Sequence, residues 1–398
     1  MTKKIILILF INTMVAFSTS LFQMNILWQM YTVQSELNTI VSLIASSFIL
    51  QAIFSLTAGI LVDKFSKKKL LLLSLVSYNL IVVSTLFLDG KLNTLLAYLA
   101  VTIITTVYQR ALITLVASNL TSNDYIKYDS VNSIVIQATT ILNTMLAGVI
   151  ITYLGMSFIF IIVFLLLWIS FVLIFLSVQE LQSNNTERLP EAKKKSYSLS
   201  SILRFIKVNV LSDKKIMIFI LILFLLNLDY GYIPNILPFY MLQGIKNHTA
   251  IELSLLKSSV NIGEVLGSLI VVTYSHKVSL LTKIGLIGSA CSFLALPFTK
   301  NFVIFTFLIL LFYGFFDTLT QPIFSYFVSS IDNQIRGRVL GITDSVVFLS
   351  APLGMFFGNQ ISQINQFYLT IYLVSIFVVS FIIINKSGIY SNIDLKKG

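Results

Sequence analysis

Runs of roughly 20 consecutive, mostly apolar residues recur along the whole chain with only short polar breaks, and that is the length a helix needs to cross a bilayer. In hydrocarbon no water satisfies exposed backbone N–H and C=O groups, so segments of this kind fold as helices. The runs fall at 5–31, 38–62, 69–88, 92–117, 130–153, 156–178, 215–242, 249–273, 281–299, 302–328, 338–360 and 367–385. Twelve spans in 398 residues leave little chain for a soluble domain. With 57% of residues hydrophobic and 11% charged, against about 25% charged in an ordinary soluble domain, a soluble globular or disordered chain is excluded. The expected fold class is an all-α membrane protein. The first run follows Lys3 and Lys4, like a signal peptide, but extends to a full span and is read as an uncleaved first helix.

A net charge of +11 suggests nucleic acid until the basic residues are placed. Of the 27 lysines and arginines, only Lys91, Lys246 and Lys300 fall on one side of the bilayer, while Arg110 and Lys257 lie within spans. All the others flank the opposite side, which the positive-inside rule makes the cytoplasm. Both termini are then expected to be cytoplasmic, and the charge is a record of orientation rather than a nucleic-acid surface. Cys291 stands alone, so neither an intrachain disulfide nor a cysteine metal cluster is available.

One break is longer than the rest. Residues 179–214 carry Ser183-Asn184-Asn185-Thr186, Pro190 and Lys193-Lys194-Lys195, and they separate six spans from six. The expected organisation is an N-terminal half at 1–178, a cytoplasmic linker at 179–214 and a C-terminal half at 215–398. The halves echo each other. Asp129-Ser130-Val131 opens the fifth span and Asp344-Ser345-Val346 lies early in the eleventh, with Gly148 and Gly358 near the far ends of the same two spans. Paired halves of this kind surround a midplane site in many transporters.

Between the second and third spans stands Gly59-x-Leu61-x-Asp63-Lys64-x-x-Lys67-Lys68-Lys69. Glycine lets two helices approach closely, and the lysines hold a tight turn on the cytoplasmic side. This stretch resembles the signature loop of the major facilitator superfamily, G-x-L-x-D-[RK]-x-G-[RK]-[RK], with Ser66 in place of the second glycine. Arg336-Gly337-Arg338 with Gly341, and Ala351-Pro352-Leu353-Gly354, resemble the corresponding region of the drug:proton antiporter branch, which includes macrolide-efflux-like and siderophore- or metallophore-exporter-like members. The fifth span departs from that branch, showing Asn143-Thr144-Met145-Leu146-Ala147-Gly148 where a Gly-Pro signature is common. The resemblance implies twelve helices in two six-helix halves around a cavity that opens alternately to each side. It also implies a conformational latch at the inner ends of the second and eleventh spans, formed here by Gly59, Asp63 and Lys64 with Asp344 as partner.

Ionisable side chains within a span are costly, so they face the bundle interior, pair, or serve the transport path. Asp229, Glu264 and Asp317 each lie about fifteen residues into their spans, near the midplane at ~1.5 Å per residue. In the eighth span Ser254, Lys257, Asn261, Glu264 and Ser268 share one helical face. Lys257 and Glu264 stand about 10 Å apart along it. They either hold opposite charges of one substrate, pair with Asp229 and Asp317, or form a structural ion pair. Gln23, Gln109 and Gln137 are too large for close helix packing and join Arg110, Lys257, Asn261, Glu264, Asp229 and Asp317 as expected cavity residues. In the seventh span Gly231, Pro234 and Pro238 weaken the helix.

No zinc-protease helix, phosphate loop or serine elbow is found in the sequence, so neither substrate chemistry nor ATP hydrolysis by this chain is expected. The expected function is proton-coupled antiport that exports a small molecule, with Asp229, Glu264 or Asp317 exchanging a proton against substrate. A polar siderophore- or metallophore-like metabolite suits the mixed charges; multidrug or macrolide efflux is the alternative, followed by sugar or peptide import and by a non-transporting receptor. The expected partners are the substrate, protons and the lipid bilayer, with no cofactor, no bound metal and no nucleic acid, in a multi-pass monomer of the cell membrane.

Overall fold

The structure is a computed structural model describing residues 3–34, 37–87, 90–117, 119, 122–177, 210–243, 249–274, 277–296, 299, 301–331 and 336–387. Most of the expected 179–214 linker, and the side chains of Gly59, Asp63, Lys64 and Asp344, lie outside the described residues.

Six helices make up the first half of the chain: α1 (Lys3–Gln34), α2 (Leu37–Lys64), α3 (Lys67–Phe87), α4 (Lys91–Ala117), α5 (Ser122–Leu154) and α6 (Met156–Ser177). Seven follow: α7 (Lys214–Tyr232), α8 (Leu237–Gln243), α9 (Ala250–Thr273), α10 (Val278–Ala295), α11 (Phe302–Ser330), α12 (Arg336–Ile364) and α13 (Gln366–Lys386). Among the described residues, ten stretches are long and apolar enough to cross a membrane, with α7 and α8 forming one of them. The shorter α10 and the more polar α12, which carries Arg336, Arg338 and Asp344, complete the expected twelve.

The helices start where short polar residues cap them. Asp213 accepts from the amides of Lys215 and Ile216, Asn301 from Val303 and Ile304, and Asn365 from Phe367. Thr249 and Glu252 form a capping box at α9, with the Thr249 amide donating to Glu252 Oε2 at 2.7 Å. A one-residue turn at Gly155, φ +88°, joins α5 to α6 and uses the left-handed region open to glycine. The expected seventh span is two helices. Residues 233–236 break it, because Pro234 and Pro238 have no N–H to donate to the preceding turn.

The chain divides into two compact units, Met1–Ala192 with Leu242–Ser258 and Lys193–Met241 with Ser259–Gly398. In the first, α1 packs on α5 and α6, and α3 on α4 and α6. Phe22 of α1 sits edge-on to Tyr78 of α3 and Phe160 of α6, at 5.7 and 5.8 Å between ring centroids. In the second, α10 packs on α11 and α7 on α12. Phe312 stands at the centre of an aromatic cluster with Phe293, Tyr313, Phe316 and Phe377.

Small residues set the tightest approaches. Gly354 faces the Leu228 carbonyl, Gly231 faces the Ala351 backbone and Gly358 faces the Tyr232 ring, so α7 and α12 meet nearly backbone to backbone. Ala351 and Gly354, singled out in sequence as a family-like motif, are thus the contact surface between these helices. Gly148 plays the same part in the first unit, against Ala250 and Ser254.

Candidate functional site

In α9, Gly263 and Gly267 occupy one helical face four residues apart. A side chain at the first would meet Tyr313 and the Leu310 carbonyl; at the second it would meet Asp317 Cβ and the Gly314 carbonyl. The absence of side chains there lets α9 lie directly against α11. That contact fixes where Glu264 and Ser268 of α9 stand relative to Asp317 of α11.

Here the second unit holds a cavity of about 370 Å³. It is lined by Leu223, Asn227 and Tyr230 of α7, Glu264 of α9, Phe316, Asp317, Thr320, Gln321 and Phe324 of α11, and Thr343 and Val347 of α12. The volume lies within the range of small-molecule sites, roughly 300–1,000 Å³. Among the described residues no basic side chain lines it.

Asp317 is held by its neighbours. Ser268 Oγ donates to Asp317 Oδ2 at 2.8 Å, Gln321 Nε2 donates to the same oxygen at 2.8 Å, and Gln321 Nε2 also donates to Ser268 Oγ. Both donors engage a single oxygen, so the side chain has one fixed edge and the other oxygen remains for a ligand. Glu264 accepts no hydrogen bond among the described residues and interacts with Asp317 across the cavity. Two like charges in so small a space repel, and a bound cation relieves that repulsion. Tyr230 stacks on Phe316 with centroids 6.2 Å apart and planes at 20°, presenting aromatic surface beside the acids. Thr320 and Thr343 donate their hydroxyls to carbonyls of their own helices, at Phe316 and Val339, which leaves acceptor lone pairs on each hydroxyl oxygen.

Of the residues expected from sequence, the cavity gathers Glu264 and Asp317. Asn261 is half-buried on α9 and is not part of the lining. Asp229 is fully buried on α7 and does not line the cavity either. Lys257, part-buried, belongs to the first unit. Gln109 Nε2 donates to Asn12 Oδ1 at 3.4 Å, and Asn12 Nδ2 donates to Asn132 Oδ1 at 2.9 Å, linking α4, α1 and α5 in the first unit through part-buried amides. Gln23 is half-buried; Arg110 and Gln137 are exposed.

Sequence reasoning missed Gln321, Thr320 and Thr343. For Gln321 the signal was present, since it follows Asp317 by one helical turn, the spacing at which a side chain amide reaches a carboxylate. The arrangement predicts a modest effect for Ser268→Ala. One of two donors to Asp317 is lost, at about 1 kcal/mol, so the apparent affinity for a cationic ligand should fall about fivefold, measured by equilibrium binding. Unchanged binding would show that the Ser268 bond does not position Asp317.

Long apolar helices that bring two carboxylates, Glu264 and Asp317, to one small cavity are the form of a membrane carrier for small molecules. The chain belongs to the major facilitator superfamily, whose profile (Major Facilitator Superfamily) matches residues 8–385. It is therefore a multi-pass membrane transporter and not an enzyme. Its fold is that of the nucleoside transporter NupG, with a TM-score of 0.72 at 13% identity over 96% of this chain and 99% of that one. It is likewise similar to a bacterial homolog of the human lysosomal transporter Spinster. In the inward-facing, unoccupied form the TM-score is 0.69 at 12% identity over 100% of this chain and 99% of that one. In the inward-facing, occupied form it is 0.69 at 11% identity over 98% and 97%. No curated protein matches the chain by sequence.

Proposed function

We propose that this chain is a secondary active transporter that exports a small cationic molecule from the cytoplasm by exchange for protons. The observation that carries the reading is the pairing of Glu264 and Asp317 in one cavity with Tyr230, Phe316 and Phe324 and no basic side chain among the described lining. Carboxylates and aromatic faces both attract organic cations. A proton and such a cation compete for the same carboxylates, and that competition is the simplest means of exchanging one for the other. The outward direction is supported by the likeness of Arg336-Gly337-Arg338 and Ala351-Pro352-Leu353-Gly354 to the drug:proton antiporter branch. On this reading the chain works as a monomer in the cell membrane with both termini inside, and Asp63, Lys64 and Asp344 latch its cytoplasmic face beside Gly59. Residues 179–214 link its halves at 1–178 and 215–398.

The second reading is a zwitterionic metallophore- or siderophore-like metabolite, and it is supported by Lys257 on the same helix as Glu264. Untargeted mass spectrometry of medium from a deletion strain and its parent separates the two: a missing anionic or zwitterionic metabolite favours the second.

For proton exchange, everted membrane vesicles with an acid interior should accumulate the cation ethidium without ATP. In one-for-one exchange each pH unit supports about a tenfold concentration ratio. A protonophore should collapse the gradient and the accumulation together. Accumulation that survives the protonophore, or that requires ATP, would overturn the proposal.

A further inference from the structure

Among the described side chains of the second unit, Asp229 is the intramembrane acid that stands apart from the cavity. Its relative exposure is 0%, and neither carboxylate oxygen has a hydrogen-bond partner among the described residues. The hydroxyls of Tyr313 on α11 and Tyr372 on α13 are buried and equally unpartnered, and both tyrosines lie within electrostatic reach of Asp229. The described face of α12 packs Ala351 and Gly354 against this part of α7 and brings no charge. On α7 itself the flanking ionisable groups are Tyr230 and Tyr232. Among the described residues no lysine, arginine or histidine pairs with Asp229.

A dry, unpaired carboxylate is costly, and so is each buried polar atom left without a partner. A proton on Asp229 removes the charge, while two phenol hydroxyls are suited to hold the carboxylate once the proton has gone. Tyr313 is also within reach of Glu264, and its ring contacts Tyr230 of the cavity wall with centroids 6.5 Å apart.

We infer that Asp229, with Tyr313 and Tyr372, is the site that holds the exchanged proton, separate from the substrate cavity of Glu264 and Asp317. The inference rests on the proton-exchange reading above and moves the exchanged proton from the cavity carboxylates, where direct competition would put it, to Asp229. A cation bound beside Glu264 and Asp317 disfavours the proton on Asp229 electrostatically: the O–H bond on Asp229 breaks, its proton leaves to water, and the unpartnered Tyr313 hydroxyl turns to donate to the carboxylate. Tyr313 is a positioning residue in this scheme, acting through Asp229.

Two measurements on the purified full-length protein test it. Infrared difference spectra between acid and alkaline media should contain a carbonyl band of a protonated carboxyl group that vanishes in Asp229→Asn and shifts in Tyr313→Phe. Ethidium binding, followed with a pH indicator, should release a proton from the wild type. In Asp229→Asn that release should fall at least about tenfold, with ethidium affinity held within about threefold. Tyr313→Phe should reduce release while folding and binding normally, which a merely structural tyrosine would not do. If Asp229→Asn keeps the infrared band and the proton release, the inference is overturned and the exchange reading stands. If the wild type binds ethidium and releases no proton, both fall. If it binds no ethidium, the cation reading falls, and the infrared band alone decides for or against Asp229.

Discussion

Replacing Glu264 with Gln and Asp317 with Asn together should reduce ethidium transport at least about a hundredfold, the largest functional loss expected from any pair in the chain. The size follows from where the acids stand. Both line one cavity of about 370 Å³ in the second unit, with no basic neighbour among the described lining residues. A cation that enters loses its water and meets two charge-assisted contacts, each about 1.5–3 kcal/mol and so worth roughly ten- to a hundredfold in binding. Neutral amides keep the shape of the side chains while removing the charge and exchanging one acceptor oxygen for an NH2 donor. They also relieve the repulsion between the acids, so the variants are expected to fold at least as well as the wild type. The single variants separate the roles. Asp317→Asn exchanges one acceptor oxygen for an NH2 donor, so either its remaining oxygen keeps the Ser268 and Gln321 bonds or its NH2 competes with Gln321 for the Ser268 oxygen. Glu264→Gln disturbs no such network and should act on affinity alone. Transport at wild-type rates by the double variant, in membranes carrying equal amounts of protein, would remove the cavity from the transport path.

Much of the scaffold is legible in the sequence because the bilayer leaves few alternatives. A run of about 20 apolar residues has one stable form in hydrocarbon. Polar residues at the borders of the runs become caps, as Thr249 with Glu252, Asp213, Asn301 and Asn365 do. The break at 233–236 was foreshadowed by Pro234 and Pro238, although its extent depends on how the turn between them is hydrogen-bonded, with the Ile236 amide donating to the Tyr232 carbonyl at 2.8 Å. Spacing along the spans gives Asp229, Glu264 and Asp317 the same expected depth, about fifteen residues in.

Depth does not say which acids share a space. Residue spacing along one helix places Glu264 and Ser268 on a common face, but the partner face on α11 is decided by Gly263 and Gly267, which bring the two helices together. Asp229 of α7 is fully buried and does not line the cavity that the other two acids share. Three carboxylates equivalent in sequence thus stand in two environments, and glycines that carry no chemistry of their own set the one around Glu264 and Asp317.

The approach of α7 to α12 makes Gly354 the most demanding position in the second unit, and Gly354→Ala should cost more folded protein than a methyl group added at any other glycine of that unit. A Cβ at this position would run into the backbone of Leu228, meeting its carbonyl oxygen, carbonyl carbon and Cα. A side chain in the way can turn aside, whereas a helix backbone can yield only by moving α7 from α12 along their length. Between membrane helices there is little hydrophobic driving force to offset the gap, because lipid tails are as apolar as the side chains they would replace. Overpacking typically costs about 1–3 kcal/mol and here falls on backbone, against a total stability of order 5–15 kcal/mol for a typical domain. Gly314 on α11 supplies the control. The nearest atom to a Cβ there is the Gly263 carbonyl oxygen at 3.5 Å, an ordinary contact, so Gly314→Ala should be tolerated. Detergent extracts run by fluorescence-detected size exclusion should give a wild-type peak for Gly314→Ala and a peak reduced at least about fivefold for Gly354→Ala. Equal peaks would mean that α7 and α12 are free to separate at this contact.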